Sequence, residues 1–511
     1  MCYYYVGGSM IKKLIKFLTH RIFIVGVLLL IQLLILVLIV SKFEEYGWYF
    51  YIFFYIIGIL SFLKIINGNA NPSYKIAWIV PVLTIPIFGT LIYVIFGNKI
   101  NKKEKLLENK TKLKQTLVQN DDVIKQITDV NFYNQSNYIY NNSGYPIYNN
   151  TYTEYLEIGE VYYKRLIEEL KKAKKFIFMQ YFIIENGKFW GDILDVLKQK
   201  ASEGLDVRVI YDDMGCIVTL PNRYYEELKK YGIKACSFNK FVPILTAKLN
   251  NRDHRKITII DGDVGITGGI NLADEYINEK LRFGHWKDNG ILLKGDAVYS
   301  LTNIFLNLWD YINKIEEDFN KFKPNIKIKS SGYVQPYDDS PFDSELVSEN
   351  ICLNMINKAK KYVYITTPYL IIDNELETSL CLAAKSGVDV RIITPGIPDK
   401  KFVNEVTKAY YNNLINSGVK IYEYTKGFIH AKTFLVDDEI STVGTVNLDY
   451  RSLHLHFECG VLLYKTESIK EIKKDISKIL EISKQITIDD TKVSLFRSLK
   501  RAVLKLFAPL M

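Results

Sequence analysis

The stretch "DHRKITIIDGDVGITGGIN" (253–271) recurs as "IHAKTFLVDDEISTVGTVN" (429–447) in a chain of 511 residues that holds six histidines. In each copy a lysine follows the histidine by two positions, an aspartate by seven and an asparagine by seventeen. The two sets are His254, Lys256, Asp261, Asn271 and His430, Lys432, Asp437, Asn447. Chance does not repeat such a spacing on so few histidines.

The repetition extends outward from this motif. "AKKFIFMQYFIIEN" (173–186) matches "AKKYVYITTPYLIIDN" (359–374), "EGLDVRVI" (203–210) matches "SGVDVRII" (386–393), and "YGIKACSFNK" (231–240) matches "SGVKIYEYTK" (417–426). Each unit reads as a helix ending in AKK, an apolar strand, a second helix stopped by glycine, and a short β-branched strand. Strands alternating with helices predict βαβ units and a largely parallel sheet with helices on its faces. Two such units in one chain predict a pseudo-twofold pair of lobes.

Side chains two apart on a strand share a face, so each His/Lys pair projects together. Asp261 and Asp437 stand an odd number of positions further on, in "DGD" and "DDE", and are expected to close hairpin turns rather than carry protons. The asparagine lies on the returning segment and can come back beside its histidine. A pseudo-twofold would bring two imidazoles, two ammonium groups and two amides together. That set suits a phosphodiester: lysine and asparagine hold the non-bridging oxygens, one imidazole attacks phosphorus and the other protonates the leaving alkoxide. Each histidine needs a carboxylate to fix its tautomer. The candidates are Asp288 in "HWKDNGILL" and Glu458 in "HFECGVLL", each opening an apolar strand soon after its motif, with Glu458 expected to hold His430.

Three apolar runs occupy the N-terminal part, at 22–40, 48–66 and 76–96, each long enough to span a bilayer core of about 30 Å. Basic residues precede the first (Lys12, Lys13, Lys16, Arg21) and follow the third (Lys99, Lys102, Lys103, Lys105). The positive-inside rule asks for both ends in the cytoplasm, which three full spans do not allow, so whether one run is re-entrant or lies flat is left open. Residues 98–150, lysine-rich and then Asn/Tyr-rich, read as a polar linker or insert. The net charge of +10 suggests an anionic partner. The six cysteines include no CxxC pair, and fit neither a zinc site nor a disulfide framework. In the last segment, 491–511, Val493, Phe496, Leu499, Val503 and Leu506 fall at helical spacing opposite five basic residues. That pattern is equally the mark of a helix on an anionic membrane and of one packed on a lobe.

The doubled HxK(x)4D motif, followed by GGxN and GTxN, resembles the phospholipase D superfamily. Within it, "NRDHRKITIIDG", "GGINLADEY", "HWKD", "FIHAKTFLVDD" and "NLDYRSLHLHFE" are similar to bacterial cardiolipin synthases, as are "FGNK" (96–99) and the terminal "LFAPLM". Departures are an extra apolar run, the Asn-rich insert, and His456 where asparagine is more usual. The resemblance implies an α/β fold: two pseudo-twofold-related phospholipase D-like lobes, at 151–330 and 331–490, with mixed sheets flanked by helices. A multi-pass membrane anchor (1–97) would precede them, with the lobes cytoplasmic. It implies His254, Lys256, Asp261, His430, Lys432 and Asp437 as the catalytic set, Asn271 and Asn447 on phosphate, and Asp288 and Glu458 orienting the histidines. It also implies no cofactor, no metal and no nucleic-acid partner. The reaction would be a two-step phosphatidyl transfer between two phosphatidylglycerol molecules, giving cardiolipin and glycerol, with His254 as nucleophile and His430 as acid and then base; pseudosymmetry leaves the reverse assignment open. The rival readings are a hydrolase, transfer to another head-group alcohol, a nuclease, and an inactive membrane scaffold. His285, His454 and His456 read as structural or supporting residues. Oligomeric state is left open.

Overall fold

The computed structural model describes residues 47–97, 116–241, 250–342 and 345–510, with isolated positions between 30 and 41. The apolar run 22–40 lies almost wholly outside the described residues.

Each repeat builds one sheet, and the two have the same strand order. In the first, the order is Thr151–Leu156, Gly290–Gly295, Val264–Gly268, Ile257–Ile260, Phe176–Tyr181, Asp206–Asp212, Lys234–Phe238. In the second it is Tyr333–Asp339, Glu458–Tyr464, Ile440–Gly444, Thr433–Val436, Tyr362–Thr366, Asp389–Pro395, Lys420–Tyr424, closed by Ser483–Ile486. Within these two sheets, only the strands joined by helices run parallel (176–181 with 206–212 and 234–238; 362–366 with 389–395 and 420–424). The other pairs are antiparallel. The expectation of a largely parallel sheet is therefore corrected to a mixed one. The motif itself is the reason: its strand turns back on itself at Asp261 or Asp437, and a tight hairpin makes antiparallel neighbours.

The lobes are fused. One apolar cluster takes in Ile259, Leu293 and Leu301 from the first half and Val443, Val461 and Leu463 from the second, all fully buried. Each such side chain contributes about 2 kcal/mol by leaving water. Helices Gly159–Lys171 and Lys188–Ser202 cover the first sheet through Tyr162, Leu166, Leu170 and Phe189, Ile193, Leu197, at the spacing of one helical face. The stretch read as a polar linker contains a helix, Val130–Ser143, whose buried Phe132 stacks on Tyr464 of the second lobe at 3.8 Å.

The N-terminal elements differ from three straight spans. Gly47–Asn67 is one helix of 21 residues, but the run 76–96 is broken. Helix Pro72–Thr84 stops at Ile85, which leaves the helical region (φ −132°, ψ 72°) before Pro86, and a short helix Pro86–Ile92 follows. Proline removes the N–H and disfavours helix in the residue before it. The two pieces then pack closely: a Cβ on Gly89 would lie 2.0 Å from the carbonyl oxygen of Pro81. Among the described residues no helix is long and apolar enough to cross a membrane.

This hairpin sits on the second lobe. Asn71 donates to Asp373 (2.8 Å) and Glu375 (3.3 Å), while Leu510, from the chain's end, packs against Ile65, Trp78, Val82 and Tyr93. Beneath Asn71, Glu349 is 3 % exposed, and burial together with the neighbouring Asp373 carboxylate raises its pKa from 4.5 to about 9. A carboxyl group raised in the fold favours folding below its ordinary pKa, and that contribution is lost as pH climbs from 4.5 to about 9. Glu349→Gln, which mimics the protonated form, should match the parent's Tm at pH 5 and exceed it by a few degrees at pH 9; equal melting at both would refute the assignment.

Candidate active site

Both HxK motifs arrive at the join between the lobes. His254, Lys256, His430 and Lys432 are all buried there. Their backbones are placed by two parallel pairings that cross from lobe to lobe. His254 N–H donates to the carbonyl of Phe457 (2.9 Å), and Phe457 N–H donates back to Arg252 (2.8 Å). In the matching position, strand Gly427–Ile429 pairs with His285–Lys287, and His430 N–H donates to the carbonyl of Lys287 (2.7 Å). The residue after Phe457 is Glu458, and the residue after Lys287 is Asp288. Each carboxylate therefore lands beside the histidine of the other lobe.

The side chains follow. His254 Nδ1 lies 2.9 Å from Glu458 Oε1, and His430 Nδ1 lies 2.6 Å from Asp288 Oδ2. The expectation that Glu458 holds His430 is thus overturned, because the strand carrying each carboxylate crosses the pseudo-twofold. Both carboxylates are fully buried. Glu458 is held further by the hydroxyls of Ser452 (2.6 Å) and Thr445, while Asp288 Oδ1 accepts from Asn289 N–H (2.8 Å). The difference between GGIN and GTVN is explained here: a Cβ on Gly269 would meet Asp288 Oδ1 at 2.1 Å, whereas the corresponding Thr445 contributes a donor to the longer glutamate.

Burial lowers the pKa of both imidazoles, His254 to about 3 and His430 to about 4, with the Lys256 and Lys432 charges acting in the same direction against the carboxylates. With Nδ1–H given to a carboxylate, each neutral ring keeps the Nε2 lone pair for chemistry. The lysines are depressed too, Lys256 to about 8 and Lys432 to about 7, chiefly by burial. Each ammonium donates to the carbonyl of its own histidine. Two such buried charges call for an anion beside them. Because the lysines deprotonate as pH rises through about 7 to 8, anion binding should weaken over that range. Sulfate, whose charge is constant there, should raise Tm over chloride at matched ionic strength more at pH 6.5 than at pH 8.5. A sulfate effect independent of pH would count against the lysine pair.

The remaining site candidates separate. Asp261 (φ 57°) accepts from the backbone N–H groups of Lys174, Lys175 and Phe176, and Asp437 (φ 54°) from those of Lys360, Lys361 and Tyr362. Each ties the hairpin turn to the AKK entry of the neighbouring strand. Asn271 spends its side-chain amide on Ile183 N–H (3.0 Å) and the hydroxyl of Tyr276 (2.7 Å), whereas the buried side-chain oxygen of Asn447 has no hydrogen-bond partner among the described residues. His285 bonds Tyr424 (2.9 Å). The repeated DVR arginines serve the sheets: Arg208 pairs with Asp206 and Glu317, and Arg391 with Asp389. Ser452 and Thr445 escaped the sequence reading, since hydroxyls beside a carboxylate carry no spacing signal. Two groups among the described residues bring three metal-ligating atoms within 4.8 Å, namely His254, His456, Glu458 and Glu349, Asp373, His454. In the first, the glutamate oxygens are already taken by His254, Ser452 and Thr445.

Comparison with known proteins agrees with this geometry. Residues 166–309 and 352–480 match the family model described as cardiolipin synthase, PLD-like domain, and residues 51–98 match a phospholipase D-nuclease N-terminal model. An uncharacterized protein of Streptococcus mutans is 43 % identical over 88 % of this chain and 99 % of its own. Cardiolipin synthase 2 of Bacillus anthracis is 34 % identical over 89 % of this chain and 90 % of its own. The crystal structure of phosphatidylserine synthase from Haemophilus influenzae superposes with a TM-score of 0.55 at 18 % identity, covering 70 % of this chain and 95 % of that one, a likeness of fold. The chain belongs to the cardiolipin synthase family of bacterial phospholipase D-superfamily proteins.

Proposed function

We propose that this protein is a cardiolipin synthase, a phosphatidyltransferase that joins two phosphatidylglycerol molecules and releases glycerol. The observation that carries the reading is the pair of histidine–carboxylate couples built across the lobes around two buried lysines. In the first step His254 Nε2 attacks phosphorus, and His430 delivers a proton to the departing glycerol oxygen. The arriving phosphodiester offsets the lysine charges and so restores the proton affinity that the acid needs. In the second step a hydroxyl of another phosphatidylglycerol gives its proton to His430 and attacks phosphorus, breaking the N–P bond to His254. Lys256, Lys432 and the amide of Asn447 hold the non-bridging oxygens as charge builds. The lobes at 151–330 and 331–490 act as one unit, and Asp261 and Asp437 keep their hairpins in register.

The substrate reaches this site from a membrane. Helix Leu495–Phe507 turns part of its basic face inward, where Arg497 and Arg501 pair with Glu405 and Lys505 lies near Glu377, while Lys500 stays exposed. Its apolar face points out, with Leu495 87 % and Phe496 79 % exposed and Leu499 and Val503 beside them. An outward apolar stripe next to the N-terminal hairpin fits insertion at a lipid surface. Purified protein given phosphatidylglycerol vesicles alone should form cardiolipin and glycerol in equal amounts. Phosphatidic acid as the main product would assign a hydrolase instead.

A further inference from the structure

The two halves of the site are not equivalent around their imidazoles. His430 is packed by Trp286 (ring centroids 5.5 Å), Tyr276 (5.6 Å) and Phe428 (5.7 Å). At the place corresponding to Trp286, the second lobe carries His456, 5.5 Å from His254. Both ring nitrogens of His456 are buried without a hydrogen-bond partner, and Nδ1 stands 3.7 Å from Glu458 Oε1, an oxygen already taken by His254 and Ser452. An imidazole out of water with neither nitrogen paired is costly, and a hydroxyl that both donates and accepts would recover that cost.

Arg451 lies against the same corner. Its carbonyl accepts from His456 N–H (3.0 Å), and its neighbour Ser452 bonds Glu458. The guanidinium makes no ion pair or hydrogen bond among the described residues. Burial lowers its pKa, and the Arg252 charge adds to this against the nearby Asp449, whose Oδ1 is engaged in capping Ser452 N–H. A partly buried guanidinium with no carboxylate bonded to it is a place for an anion. Lys256 and Lys432 are committed to the phosphate being transferred. The acceptor lipid brings another phosphodiester, separated from its attacking hydroxyl by one glycerol.

We propose that Arg451 and His456 form the acceptor subsite, the guanidinium taking the acceptor's phosphodiester and the imidazole a hydroxyl of its glycerol. This rests on the synthase reading. Neither residue exchanges a proton: the attacking O–H gives its proton to His430, the O–P bond forms, and the N–P bond to His254 breaks.

The test compares two acceptors on one donor. Exchange of the phosphatidylglycerol head group for labelled free glycerol uses an acceptor without phosphate; cardiolipin formation uses one with it. Arg451→Gln should reduce cardiolipin formation about 30-fold at limiting lipid while glycerol exchange falls no more than about threefold, and Arg451→Lys should recover part of the loss. His456→Phe should lower cardiolipin formation and glycerol exchange alike, each about tenfold, because both acceptors present a glycerol hydroxyl, and His456→Asn, which keeps a donor and an acceptor, should restore most of both. Parallel loss of both activities in Arg451→Gln, or full activity of His456→Phe with both acceptors, would overturn the subsite. Parent enzyme that exchanges glycerol yet makes no cardiolipin would instead overturn the synthase reading.

Discussion

Changing His254 or His430 to alanine should each cost at least about ten-thousand-fold in cardiolipin formation, about 5.5 kcal/mol on the barrier. Each imidazole has a role the other cannot fill from its position, one as nucleophile and one as proton carrier, and groups acting as a unit fail together. The two losses separate on a phosphatidyl ester of p-nitrophenol, whose leaving group needs no protonation. There His430→Ala should recover a burst of nitrophenol and accumulate a phosphatidyl adduct, because only the acid has been removed. His254→Ala should show no burst. The opposite pattern would exchange the two roles while leaving the site intact. Folding must be checked beside activity, since either deletion leaves a buried carboxylate without its partner; retained far-UV ellipticity and a single melting transition are the controls.

Much of this site is written in local sequence. The His/Lys pairs are legible because an alternation of two is a property of any strand, and the turn role of Asp261 and Asp437 follows from their odd offset. The paired sheets are legible because the halves keep their segment order. What local spacing does not carry is which carboxylate meets which histidine. Asp288 comes soon after His254 and Glu458 soon after His430, so proximity along the chain favours pairing within a lobe. The observed pairing depends on the Asp253–Phe457 bridge and the strand pair Gly427–Ile429 with His285–Lys287, contacts set by how the lobes dock. Asn271 shows the same limit: its place in the motif matches Asn447, but the hydroxyl five residues on is Tyr276 in the first copy, which draws the side-chain amide away, and Ser452 in the second, which goes to Glu458 and the Asn447 backbone N–H. The run 76–96 was apolar throughout, and hydropathy weighs composition above the pre-proline constraint that breaks it at Ile85.

The crossed pairing makes its own prediction, with an effect second only to loss of a histidine. Glu458→Gln removes the negative charge and one of the two oxygens that fix the His254 tautomer and stabilise the ring as it gains positive charge at phosphorus. The expected loss is about a thousand-fold in the nitrophenol burst, because the defect falls on the nucleophile, even though residue 458 lies in the lobe of His430. Asp288→Asn acts through His430 and should leave that burst nearly intact, while lowering cardiolipin formation from phosphatidylglycerol about as much. Pairing within a lobe would give the reverse, with Asp288 needed for the burst and Glu458 dispensable. The comparison holds whichever histidine is the nucleophile, because each carboxylate must sort with the histidine of the opposite lobe. Ring ¹⁵N shifts give the same answer without turnover: Glu458→Gln should move the His254 resonances and leave those of His430 in place. Were both imidazoles to respond equally to either substitution, the two couples would be one shared network, and the division of labour between nucleophile and acid would have to come from the bound lipid rather than from the protein.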